Sequence, residues 1–142
     1  MTQQVFGDID TNEVIHVDRE IQVVVFAPST PCVTGDGKVH IPIPSTVDGF
    51  DLETAHAQVV TVGGSGTMDI QIHNVTDGVD MLSTKLTIDA GEKGSNTAAT
   101  PVVVDTNNDD VVEFDEIRID IDAIHTAPAA KGLVVRLTFT KP

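Results

Sequence analysis

From about residue 20 onward, apolar and polar residues in this chain alternate with a period of two almost throughout. The clearest case is "MDIQIHNVTDGVDMLSTKLTID", residues 68 to 89. Met68, Ile70 and Ile72 fall on one side of an extended chain, with Asp69, Gln71 and His73 on the other. Successive side chains of a strand point to opposite faces, so this pattern predicts a strand with one buried face. "NVTDG" then supplies turn chemistry, and a second run predicts the returning arm of a hairpin near 67–74 and 79–89.

Other segments read the same way. "IQVVVFAP" (21–28) is a compact apolar run, which predicts a strand buried on both faces. "KVHIPIP" (38–44) puts Val39, Ile41 and Ile43 on one face. Its prolines cannot donate to a ladder, which predicts an edge strand. "TAHAQVVTV" (54–62) is a further strand, followed by "GGSG" as a glycine hairpin turn. "TAATPVVVD" (97–105), "IRIDIDAI" (117–124) and "LVVRLTFT" (133–140) complete the set, and "TNNDDVVEFDE" (106–116) is an acidic loop with room for one helical turn. No segment keeps a 3.6-residue period long enough for a packed helix. The fold class expected is all-β: a two-sheet β-sandwich, jelly-roll-like, of about eight short antiparallel strands. Residues 1–19, polar and acidic, are expected to form an N-terminal arm or an irregular first strand, and 20–142 a single β-sandwich domain.

Charge narrows the function. The chain has 22 acidic and 8 basic residues, a net −14. Such a surface repels phosphate backbones and anionic lipids, so neither nucleic acid nor membrane is an expected partner. Trp and Tyr are absent, which removes the usual platforms for sugars and bases. Cys32 is single and excludes an intrachain disulfide. The opening "MTQQVFGDID" lacks the basic and apolar regions of a signal peptide.

Few residues suggest chemistry. In "DTNNDDVVEFDE", Asp105, Asn107, Asp109, Val111, Glu113 and Glu116 fall at positions 1, 3, 5, 7, 9 and 12 of a calcium loop, where hard oxygen ligands alternate. Position 6 is Asp110, where the template needs glycine. A solvated acidic turn is the preferred reading and no metal is expected. His16, His40, His56, His73 and His125 are scattered. His40, His56 and His73 each fall on a strand's polar face, the one arrangement from which zinc ligands would be drawn. "GGSGT" lacks the flanking residues of a nucleophile elbow, and no phosphate-cradling loop occurs. Asn74 opens "NVT" and serves as a turn residue. Neither enzymatic activity nor a cofactor is expected.

As a set, "IQIHNVTDGVDMLSTKLTIDAGE", "TAATPVVVDTNNDDVVEFDEIRIDIDAI" and "AAKGLVVRLTF" resemble a domain recurring in tailed-bacteriophage structural proteins, over roughly residues 40 to 140. The chain departs from that pattern at Phe114, where related chains tend to carry glycine before the Asp. The resemblance implies a small β-sandwich module of the virion, assembled in the bacterial host cytoplasm. It implies most directly a capsid decoration (cement) protein that binds the major capsid protein on the outer head and associates with itself as a homotrimer. A tail-fibre, baseplate or head-fibre component is the alternative. A calcium-dependent or carbohydrate-binding β-sandwich module is a third reading, carried by the 105–116 loop.

Overall fold

A computed structural model describes residues 17–142, and the chain is all-β as the alternation predicts. Its strands are β1 (Asp18–Pro31), β2 (Gly35–Pro42), β3 (Asp51–Thr61), β4 (Met68–Asn74), β5 (Val79–Asp80), β6 (Leu82–Thr84), β7 (Leu86–Ile88), β8 (Val103–Val104), β9 (Glu116–Ala123) and β10 (Lys131–Thr140). Ser45–Val47 and Ser95–Thr97 form single 3-10 turns, and no longer helix occurs among the described residues. Most of the expected arm over 1–19 lies outside the described residues. Its Asp18 and Arg19 open β1.

One sheet has the order β1-β10-β3, and the other β2-β9-β4-β5 with β7 also on β4. All pairings are antiparallel. Inward residues of both sheets meet in one core. Leu52, Ala55, Ala57 and Val59 come from β3 and Leu133, Val135, Leu137 and Phe139 from β10. Met68, Ile70 and Ile72 come from β4 and Ile117, Ile119 and Ile121 from β9. These are the faces the period of two predicts. Each fully buried large aliphatic side chain contributes about 1.5–3 kcal/mol. β2 stands at a sheet edge, with Pro42 opposite Glu116, and an edge strand tolerates a proline's missing amide hydrogen.

Several sequence expectations need correction. The run 21–28 is not buried on both faces. β1 is an edge strand with a register shift between Val24 and Phe26; Val23, Val25 and Phe26 are half-buried against the core, and Val24 is 61% exposed. "GGSG" is not a hairpin turn, because β3 and β4 lie in different sheets. It crosses between them, and its backbone interlocks with 125–128: Gly64 N donates to Pro128 O, and Ser65 and Thr126 exchange backbone bonds. Here glycine answers to close approach. A Cβ at Gly63 would sit 2.2 Å from His125 Cγ, and one at Gly64 would sit 2.1 Å from Ala127 O. Residues 97–105 pair only at Val103–Val104, against β6, because Pro101 has no amide hydrogen and the preceding residues turn. Finally, 106–116 contains turns and no helix.

The hairpin forms but its second arm is broken. His73 pairs with Asp80 and Ile70 with Leu86, so three steps along β4 face six on the return. The surplus carries β6 away to β8. Gln71, expected on a solvent face, fills the gap and is 5% exposed. Its Oε1 accepts from Leu82 N and Ile72 N at 3.1 and 3.0 Å, and its Nε2 donates to Leu82 O at 3.1 Å. A side-chain amide thus replaces the missing strand's peptide group.

Candidate functional site

One end of the sandwich is built by three loops, residues 43–50, 74–78 and 105–116. Asn74 ties two of them together. Its Oδ1 accepts from Asp77 N at 3.1 Å, and its Nδ2 donates to Asp77 Oδ2 and Asp115 Oδ2, both at 3.3 Å. Asn74 is fully buried and Asp115 is 4% exposed, so this bond fixes the loops against each other. Asp115 Oδ2 also accepts from Val112 N, and Asp48 Oδ1 accepts from Glu113 N at 2.8 Å. Phe114 N donates to Ile43 O at 2.9 Å.

The six calcium-loop positions are dispersed within this end. Asp105 folds back on its own turn, accepting from Asn107 N and Asn108 Nδ2. The Val111 carbonyl accepts from Gly49 N, and the Val111 side chain lies in the core. Asp109 passes its carbonyl to Leu52 N, Glu113 is exposed, and Glu116 begins β9. Among the described residues, no three acidic, His or Cys side chains converge on a metal-sized site. Crowding leaves an electrostatic trace instead. Burial, then Asp51, pushes the Asp109 carboxyl above the usual carboxylate range. Partial burial, then Asp115 and Asp110, does the same to Asp77.

Phe114 is the outlier of this end. Its φ is +74°, a left-handed backbone that an aromatic side chain rarely adopts, and its ring is 81% exposed. Phe50 and Phe139 are buried, and Phe26 is half-buried. Val112 (50% exposed) shares the turn, and Val75 (38%) is bonded beside it through Val75 N to Glu116 O. One signal in the sequence pointed here: the resemblance implies glycine at position 114, and this is the position whose backbone is left-handed.

The outer face of the five-stranded sheet carries a charged ladder. His40, Arg118 and His73 lie side by side on β2, β9 and β4, and Asp80 lies beyond His73 on β5. His40 Nδ1 bonds Glu116 and His73 Nδ1 bonds Asp80 Oδ1 at 2.7 Å. Arg118 Nε donates to Asp120 Oδ1 at 2.9 Å, and Lys85 pairs with Asp122 at 2.8 Å. His56 lies on β3 in the other sheet, so the three polar-face histidines do not converge. His125 is buried, with Nε2 donating to Ile88 O at 2.9 Å. His16 lies outside the described residues. Cys32 is buried, and desolvation pushes its thiol up to about 11, the opposite of a reactive nucleophile.

A groove runs along the outer face of the three-stranded sheet. There Gln22, Arg136 and His56 form one cross-strand row, and Val24, Val134 and Gln58 form the next. The loop 93–96 lies along the β3 edge, held by Val59 N to Lys93 O and by Ala57 N to Ser95 Oγ. Two adjoining cavities of about 400 and 440 Å³ share Ala57, Gln58, Lys93 and Arg136. Two of the chain's eight Lys and Arg residues therefore line one cleft of a protein with net charge −14. Sequence reasoning missed this groove, because its rows come from strands distant in the chain. No protein-family model, no curated protein and no solved structure matches this chain.

Proposed function

We propose that this protein is a bacteriophage virion structural protein, a capsid decoration (cement) protein that binds the major capsid protein on the outer head and stabilises the shell. The observation carrying this reading is the set of three resembling sequence runs and where their residues fall. Asn74 and Asp77 of "NVTDG" and Asp115 of "VVEFDE" belong to separate runs, yet they meet in one buried polar link. That supports treating the runs as parts of one module. The strand order supports a jelly roll: β1, β10 and β3 lie in one sheet, and β2, β9 and β4 in the other. The acidic, loop-built end offers a shaped surface for docking, and capsid local three-folds would accommodate a homotrimer.

The test is co-sedimentation of purified protein with undecorated heads and with isolated tails, alongside a light-scattering mass for the free protein. The cement reading expects pelleting with heads and a trimeric mass. Pelleting with tails alone would reject it. In that event the fibre or baseplate reading gains, and the groove lined by Lys93, Arg136 and His56 is the feature favouring it, since it suits an anionic or hydroxyl-rich host ligand.

A further inference from the structure

We infer that Phe114 is the anchor of the docking surface, inserting into an apolar socket with a Lys- or Arg-lined rim on the outward face of the capsid shell; this rests on the virion reading above. Three observations carry it. The ring is exposed on backbone that glycine would occupy without strain, so the side chain is retained against the conformational preference of its own position. Outliers of this kind cluster at binding sites, and aromatic anchors dominate interface energetics. The ring is also presented rigidly. Residues 112–115 are pinned by Val112 N to Asp115 Oδ2, Glu113 N to Asp48 Oδ1 and Phe114 N to Ile43 O, so little ordering remains to be done on contact. Val112 and Val75 extend the apolar area beside it.

The third observation selects the partner. Asp48, Asp77, Asp110 and Glu113 are exposed on the same loops, and none is in an ion pair among the described residues. An apolar knob inside a carboxylate rim complements a socket rimmed by cations. A second copy would bring two like-charged rims together, and an anionic bilayer would repel this one.

The experiment measures co-sedimentation with undecorated heads for the wild type, F114G, F114A and V103T, the last altering an exposed valine on β8. It also measures the thermal midpoint of each free protein. F114G and F114A are expected to weaken head binding by about tenfold or more, and V103T to bind as the wild type does. F114G is expected to melt no lower than the wild type, because glycine fits the left-handed position. Wild-type binding is expected to weaken as salt rises from roughly 50 to 300 mM. If F114G binds heads like the wild type, the inference is overturned while the virion reading stands. If F114G melts well below the wild type, the ring belongs to the fold and the inference is overturned. If the wild type pellets with tails alone or with neither particle, the inference falls together with the cement reading.

Discussion

Replacing Gln71 with leucine tests the most unusual piece of the fold. Leucine keeps roughly the side-chain volume and removes all three hydrogen bonds of the amide. Leu82 N, Leu82 O and Ile72 N then stay buried where the second hairpin arm has left β4. An unsatisfied buried polar group costs about 1–3 kcal/mol. Three such groups exceed what one extra buried apolar side chain returns, about 1.5–3 kcal/mol. Local relaxation and partial hydration reduce the sum, and the expected net loss is about 3 kcal/mol. Urea unfolding followed by circular dichroism is the assay. With a slope of about 2 kcal/mol per molar, the midpoint should fall by about 1.5 M. The melting temperature should fall by about 10 °C. If Q71L stays within about 0.5 kcal/mol of the wild type at unchanged slope, the amide is not substituting for a strand and the account of the broken arm is wrong.

Three further predictions follow from the same geometry. G63A places a methyl group 2.2 Å from the His125 ring and should cost about 2–4 kcal/mol in thermal melts; H125A in the same chain should recover part of the loss. Cys32, with a thiol near 11, should carry only about a thousandth of its population as thiolate at pH 8, and should label with iodoacetamide far more slowly in buffer than in denaturant. Asp109 has a folded pKa above its unfolded value. Its charge therefore costs stability above the folded pKa; the cost is relieved as pH falls from the folded pKa to the ordinary carboxylate value, and is gone below it. D109N should melt slightly above the wild type at pH 7 and level with it at pH 3.

Legibility in the sequence followed locality. β4, β9 and β10 alternate strictly, and their inward faces are the ones the period of two marks. β2 was placed at an edge by its prolines, a purely local constraint. β1 was misread because an unbroken Val-Val-Val-Phe run looks the same whether both faces are covered or a register shift turns successive residues inward. Gln71 sits at a polar-face position and reads as solvent-facing. Its burial depends on three surplus residues in another strand, which no local window contains. "GGSG" had the right composition for a turn, but its glycines answer to 125–128, some 60 residues away in the chain. The acidic end was half-readable. Its turn chemistry was visible, whereas the Asn74–Asp115 link and the occupied Val111 carbonyl depend on loops meeting in three dimensions.

The position of β10 bears on biogenesis. This strand sits between β1 and β3, but translation delivers it after both, with residues 62–130 emerging in between. While the nascent polypeptide lengthens, two partners wait for a centre that the ribosome has not yet released. Completion of that layer thus waits on distant pairings, the regime in which folding is slow and unpaired edges are exposed to neighbouring chains.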